Sequence, residues 1–354
     1  MSLPIPTAPE ALTPAWLSAA LAPRFPSARV VAAKRLDAHS GTTGRVRLGL
    51  VWEGEGAGPA SLFVKLPPFD ESQRAMVEAT GMGRREARFY TELAAEVPVR
   101  LPAPYHAAWD GSGSRYVMLL EDLEANGCSF PGADAHDAAL RARRVVGGLA
   151  KLHAHLWDSD RFDGDLAWIE APMRHEIGAL LVKQSLDLFA DGMRPDFGSI
   201  GRLYVDHHEQ VCDLWEEGER ALVHGDAHLG NLFQDGDEMG FLDWAVLSRA
   251  PGVRDVAYYL SNSLPVELRR REERSLLDHY RARLEAAGAP APDADTLWRR
   301  YRRHVAYSWV AAATTAAMGE KWQPRAVAMA SLERATAAVS DLEAVALFRE
   351  ELGL

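Results

Sequence analysis

The chain has 354 residues, 47% hydrophobic and 25% charged, a globular composition that excludes wholesale disorder and is long enough to bury a core without staples. Two cysteines, Cys128 and Cys212, exclude a disulfide framework or a cysteine-rich zinc site and fit a reducing cytoplasm. A net charge of −11 argues against a nucleic-acid footprint, which needs clustered Lys and Arg.

Met1–Glu10 has neither a basic head nor an apolar core, so no signal peptide is expected. A short helix follows, capped by Thr13 with Pro14 at its first position. Five β-favouring runs come next: Arg29–Asp37, Arg45–Trp52, Ser61–Leu66, Tyr105–Trp109 and Arg115–Glu121. One helical stretch, Arg84–Glu96, interrupts them, with Ala87, Tyr90, Leu93 and Ala94 at helical spacing. Beyond it, helical periodicity marks Ala135–Trp157, Met173–Ala190, Ile200–Leu222, Pro265–Ala287 and two helices between Ala291 and Phe348. Val223–Trp244 breaks the pattern: it is rich in Gly and Asp, holds the strand-like pieces Asn231–Gln234 and Gly240–Leu242, and is the kind of irregular segment that carries function.

The boundary between textures falls near Glu121–Phe130, which predicts a β-rich lobe at 1–122, a helical lobe at 123–354 and a ligand cleft between them. Residues 1–120 hold 13 Lys and Arg against 11 Asp and Glu, and residues 121–354 hold 26 against 39. No stretch reaches the roughly 18 clean apolar residues of a membrane span, Val305–Met318 coming nearest. A soluble, cytoplasmic protein is expected.

The strongest chemical signal is His224-Gly225-Asp226-Ala227-His228-Leu229-Gly230-Asn231, followed by Phe241-Leu242-Asp243-Trp244. An Asp and an Asn five apart, then an Asp at a strand end, is a recurring arrangement for MgATP chemistry. Asp226 would orient the acceptor hydroxyl, while Asn231 and Asp243 offer the hard oxygen ligands that Mg²⁺ prefers. Phosphoryl transfer needs positioning and neutralisation of phosphate charge, and these residue types supply both.

Lys65 is one of only 5 lysines and lies amid strand apolars, where its charge must be paired. Glu86, 21 residues on, sits on the Arg84–Glu96 helix, and a strand Lys paired with a helix Glu is how many kinases hold phosphates. Between two strands, Ser40-Gly41-Thr42-Thr43-Gly44 allows backbone N–H groups to approach phosphate, although it lacks the full GxGxxG spacing. No GxxxxGK[ST] loop occurs, which removes the central element of a P-loop NTPase. At the lobe junction, backbone groups around Glu121 and Leu123 are placed to meet an adenine edge.

His153 and His155 lie two apart on a helix and share no face, so a joint metal site is disfavoured, and one is expected to be a buried hydrogen-bonding histidine beside the catalytic loop. Asp255 is expected to brace that loop.

These residues resemble the aminoglycoside phosphotransferase and choline kinase group, small-molecule kinases of α+β, protein-kinase-like bilobal fold. The resemblance spans roughly Arg29–Val345 and rests on HGDxHxGN, LDW and PGVRDVAYYL, while FVKLPP, REARFYTEL, LLEDL and LAKLHAHLW look like its ecdysteroid-kinase-like (CHK-type) branch. Carried over by position, it implies Asp226 as catalytic base, Asn231 and Asp243 as magnesium ligands, and Lys65 with Glu86 at the phosphates of ATP, with GTP also open.

Only 11 residues separate Asp243 from Asp255, with no A-P-E element, so the platform on which a protein kinase docks a peptide is missing. The expected enzyme is an ATP- and Mg²⁺-dependent small-molecule kinase. Its acceptor is an amino-alcohol or aminoglycoside, a sterol-like or macrolide alcohol, or a hydroxyacyl-CoA. The alternatives are a catalytically silent pseudokinase or nucleotide-binding module, or a protein kinase.

Overall fold

A computed structural model describes residues 3–132, 136–174 and 176–354. Its contacts divide the chain into two compact units, Met1–Phe130 with Phe233–Val246, and Pro131–Leu232 with Leu247–Leu354.

The first unit is built on five antiparallel strands: β1 (Ala28–Ser40), β2 (Gly44–Gly54), β3 (Ser61–Leu66), β4 (Pro104–Trp109) and β5 (Tyr116–Glu121), in the order β1-β2-β3-β5-β4. Helix α1 (Pro14–Leu21) starts as expected, with Thr13 Oγ1 accepting the Trp16 amide at 3.2 Å. Its Leu17, Ala20 and Leu21 join Val46, Leu48, Leu62, Val64, Leu66, Val117 and Leu119 in one apolar cluster. Lys65 lies between Val64 and Leu66, so the period-2 alternation of the strand turns its side chain to the other face of the sheet.

That face is served by α3 (Met82–Glu92), which packs against β4 and β5. The helix expected at Arg84–Glu96 is α3, and an unexpected helix, α2 (Glu71–Thr80), precedes it. Helix α2 buries only Gln73 and Val77, so it has almost no apolar stripe to read. Its signals are the Asp70 cap, whose Oδ1 accepts the Gln73 amide at 3.0 Å, and Gly81 at φ 65°, which ends it.

The boundary expected at 122/123 lies at 130/131, and a later hairpin, β7 (Leu232–Asp235) and β8 (Glu238–Phe241), belongs largely to the first unit. The cause is local: Phe233 buries itself with Leu123 and Cys128, and bridges join Ser129 to Gln234 and Arg100 to Gly240.

The second unit holds helices α4 (Ala138–His155), α5 (Glu176–Phe189), α6 (Pro195–Asp206), α7 (His208–Glu216), α8 (Val253–Ser263), α9 (Val266–Ala286), α10 (Ala294–Met318), α11 (Arg325–Asp341) and α12 (Ala344–Leu352). The expected helix starts at Ala135 and the residue His175 lie outside the described residues. Ile200–Leu222, expected as one helix, is α6, a break at His207 (φ −130°), α7, and then a strand, β6 (Ala221–Val223). Apolar spacing carries across the break, which hides it. Three helices, not two, follow Ala291, and α8 adds one that periodicity did not mark. The centre is α10, which packs against α5, α8, α11 and α12. Strand β6 pairs antiparallel with β9 (Ser248–Ala250) and packs on α4, fixing the point from which the His224–Asn231 loop departs. Among the described residues no helix is long and apolar enough to cross a membrane.

Candidate active site

In the first unit Lys65, Glu86 and Asp243 meet. Lys65 Nζ is 2.7 Å from Glu86 Oε1, 2.6 Å from Oε2, and 3.1 Å from Asp243 Oδ1. Lys65 and Glu86 are both buried. Burial pushes the Glu86 carboxyl up, and Lys65 pulls it back only in part. The amide of Trp244 also donates to Glu86 Oε1, at 3.2 Å, while the Trp244 ring stacks on Phe89 with centroids 4.2 Å apart. These contacts anchor the residue that follows Asp243. Asp243 itself holds φ 67°, a left-handed conformation rare outside glycine, and strain of this kind concentrates at functional positions.

Sequence reasoning missed Arg45. It lies directly opposite Lys65 in the β2–β3 register, on the same face, and its Nη2 comes to 3.7 Å from Asp243 Oδ2. Like charges directly opposed on a sheet repel. Two carboxylates therefore hold two cations at one spot. The signal was register, which no motif records.

The Ser40–Gly44 segment joins β1 to β2. Ser40 Oγ accepts the Phe69 amide at 3.0 Å, Thr43 is buried, and Arg45 Nε lies 3.4 Å from Thr43 Oγ1. A Cβ at Gly44 would lie 2.6 Å from the Pro67 carbonyl oxygen and 2.4 Å from the Phe69 ring, so only glycine fits. A Cβ at Gly41 would meet nothing within 4 Å, and Thr42 sits beside it at the turn.

At the end of β5 the Glu121 carboxylate accepts from both terminal nitrogens of Arg100 at 2.8 Å, from the Ala103 amide at 3.0 Å and from Asn126 Nδ2 at 2.9 Å. Burial opposes its charge, but these donors hold its carboxyl below the ordinary range. Its side chain is fully engaged in structure, and its amide donates to the Ala103 carbonyl at 2.9 Å. Leu123 is buried against Cys128 and Phe233, and its carbonyl accepts the Cys128 amide at 2.9 Å.

In the second unit Asp226 and Asn231 meet. Asn231 Nδ2 donates to the Asp226 carbonyl and to Asp226 Oδ2, each at 2.9 Å. The other oxygen, Oδ1, accepts the Tyr258 hydroxyl at 2.7 Å. The Asp226 carboxylate is about a third exposed, with His228 Nε2 3.6 Å away. Tyr258 was not singled out from the sequence. Burial first, then the Asp226 charge, raise its hydroxyl well above the usual value, so it stays a donor. It lies three residues after Asp255 on α8, a spacing that puts the two on one helix face.

Asp255 braces the loop from beneath, as expected. Fully buried, it accepts the His224 amide at 2.6 Å and the Gly225 amide at 2.9 Å, and lies 3.1 Å from His153 Nε2. Burial raises its carboxyl, but His153, His224 and these amides outweigh that and hold it below the ordinary range. His153 is the buried histidine beside the loop, with Nδ1 2.7 Å from the Tyr280 hydroxyl, whereas His155 is exposed.

Each unit, by itself, presents a hard oxygen donor. Asn231 uses its Nδ2 on Asp226, which leaves its Oδ1 as an acceptor, and Asp243 contributes a carboxylate. Among the described residues no cluster of three or more His, Cys, Asp or Glu is found that could hold a metal by itself.

Comparison with known proteins bears on the fold and the family. Similar solved structures include an aminoglycoside 2′-phosphotransferase-IIIa in complex with GDP, at 12% identity, covering 93% of this chain and 99% of that one with a TM-score of 0.52. A GDP and kanamycin complex of a 2″-aminoglycoside phosphotransferase matches at 12% identity, 92% and 98% coverage and a TM-score of 0.54. The ethanolamine kinase of Plasmodium vivax matches at 13% identity, 86% and 81% coverage and a TM-score of 0.51. At such identities the likeness establishes the fold, which is the α+β, protein-kinase-like bilobal fold expected from the sequence. No curated protein matches the sequence. The sequence does match a family profile over residues 49–302, and on that match the chain belongs to the phosphotransferase enzyme family.

Proposed function

We propose that this enzyme uses MgATP to phosphorylate a hydroxyl of a small molecule. The observation that carries the reading is the buried meeting of Lys65 with Glu86 and Asp243, at 2.6–3.1 Å. A lysine removed from water and positioned by two carboxylates, with Arg45 opposite it, is suited to neutralise phosphate oxygens. In this reading Lys65, held by Glu86, contacts the α- and β-phosphates. The Ser40–Gly44 backbone approaches them, and backbone groups at Glu121 and Leu123 meet the base. Two similar structures hold GDP, which supports nucleotide binding and makes GTP an outcome to test beside ATP.

Asn231 and Asp243 would hold Mg²⁺ through oxygen. When bound, Mg²⁺ neutralises charge on the phosphate oxygens. Asp226, its two oxygens fixed by Tyr258 and Asn231, orients the acceptor hydroxyl and takes its proton late, because the transition state is loose. The interval between Asp243 and Asp255 holds little beyond the three-residue β9, which favours a small acceptor over a peptide.

The test separates binding from chemistry. Asp226→Asn should bind MgATP as tightly as the unaltered enzyme by calorimetry and show no turnover. A well-folded Asp226→Asn protein that no longer binds MgATP would overturn the role given to Asp226.

A further inference from the structure

Arg254 is a buried cation with no anion beside it among the described residues. The residue is 5% exposed, its Nε has no hydrogen-bond partner, and no carboxylate pairs with it among the described residues. Its one close neighbour of note is the Tyr307 ring, 3.5 Å from the guanidinium carbon. A cation–π contact contributes about 0.5–2 kcal/mol. Removing an ion from water costs several kcal/mol. The ring alone does not offset that cost, so the position calls for an anion.

Arg254 lines a cavity of about 240 Å³ that lies wholly within the second unit. Its walls are mostly apolar and aromatic, with Met173, Val310, Ala311 and the rings of Tyr204, Trp215 and Tyr307. The one carboxylate in the lining, Glu216, is already held at both oxygens by Arg174, at 2.9 and 2.7 Å. Cys212 adds no charge, because burial pushes its thiol up to about 11. The interior thus offers one unmatched positive group in a hydrocarbon setting.

Two residues of the lining, Arg254 and Tyr307, lie close to the groups that hold Asp226. Arg254 and Tyr258 are four residues apart on α8, hence on one face and about 6 Å apart along the axis. Tyr258 donates to Asp226, and Tyr307, under the guanidinium, has its ring 6.0 Å from that of Tyr258 and its hydroxyl 3.4 Å from the Gly225 carbonyl.

We infer that this cavity takes an acceptor bearing its own carboxylate, a small hydroxy acid with a hydrocarbon body, whose carboxylate pairs with Arg254 while its hydroxyl reaches Asp226. The inference rests on the phosphotransfer reading. In the step, the acceptor oxygen bonds to the γ-phosphorus, the bond from that phosphorus to the β,γ-bridging oxygen breaks, ADP leaves with the electron pair, and the hydroxyl proton passes to Asp226. The acidic excess of residues 121–354 steers cations at long range, but the cavity selects at contact, where desolvation makes a charge mismatch far costlier.

The experiment uses calorimetry and ADP release on the full-length protein. Short ω-hydroxy and β-hydroxy alkanoates are compared with the matching diols and amino alcohols. Hydroxy acids should bind saturably and most tightly, and Arg254→Gln should weaken them by about 30-fold, the scale of a charged hydrogen bond. Arg254→Lys should restore part of the loss. MgATP affinity should stay unchanged in both. Should Arg254→Gln fail to fold, Ala311→Phe fills the cavity with Arg254 intact and should abolish hydroxy-acid binding. Absence of hydroxy-acid binding, equal binding by Arg254→Gln, or tighter binding of the amino alcohols would each overturn the inference. MgATP binding without hydroxy-acid binding sinks only this inference. Hydroxy-acid binding without MgATP binding sinks the phosphotransfer reading instead.

Discussion

Tyr258 donates its hydroxyl to Asp226 Oδ1 at 2.7 Å, while Asn231 donates to Oδ2 at 2.9 Å. One carboxylate is thereby fixed in both rotation and tilt. Tyr258→Phe removes one of the two restraints without changing the shape. A hydrogen bond to a charged group contributes about 1.5–3 kcal/mol, so kcat should fall by about 10- to 100-fold. MgATP affinity should not change. Steady-state kinetics beside calorimetry on this variant will show whether the loss is confined to kcat.

Lys65→Met removes the cation from Glu86, which stays buried. Breaking a buried pair costs about 3–5 kcal/mol, and turnover should vanish. The Glu86 carboxyl is already raised by burial, and without Lys65 it rises further. A raised carboxyl stabilises the fold in its protonated form, fully below the unfolded value near 4.3, and that stability fades as pH climbs through the folded value. The variant should therefore lose more stability at neutral than at mildly acidic pH. Urea unfolding across that window should show the deficit widening upward, and a deficit that shrinks toward neutral pH would contradict the assignment.

Asp255→Asn replaces an oxygen that accepts the His224 or Gly225 amide with a donor. The native carboxyl is held low, so its stabilising share is present above the unfolded value near 3.9 and is lost as pH falls through the lower folded value. The variant should lose on the order of 3 kcal/mol at neutral pH, and the difference from the unaltered protein should narrow in acid. Denaturant melts at neutral and acidic pH will read both effects.

The glycines of the 40–44 segment should behave oppositely. Gly44→Ala drives a methyl into the Pro67 carbonyl and the Phe69 ring and should destabilise by about 1–3 kcal/mol, with weaker MgATP binding. Gly41→Ala meets open space and should stay within about 0.5 kcal/mol. Thermal melts and nucleotide titrations of the pair separate a steric requirement from a generic flexible turn.

Much of this site was legible because its parts are local. Asp226 and Asn231 lie five apart and touch, and the strand-borne Lys65 finds Glu86 only 21 residues on, on α3. The alternation of β2 and β3 and the Thr13 cap were equally readable from short-range chemistry. What escaped depends on register and distant packing. Arg45 matters because the six-residue connection from β2 to β3 sets it opposite Lys65, and Tyr258 because α8 presents it on the face of Asp255. Arg254 matters because α10 brings Tyr307 beneath it while no carboxylate among the described residues pairs with it. Helix α2 escaped because it buries almost nothing. The return of Phe233–Val246 to the first unit follows from an apolar contact with Leu123, more than a hundred residues earlier.

The most direct measurement is acceptor-dependent ADP release from MgATP, with Asp226→Asn as the blank. The panel holds hydroxy acids, amino alcohols, aminoglycosides, macrolides, sterols and hydroxyacyl-CoAs. The account predicts release above background for at least one acceptor, a phosphorylated product by mass spectrometry, and loss of both in Asp226→Asn. MgATP binding with no acceptor-dependent release across the panel, or release that persists in Asp226→Asn, would contradict it.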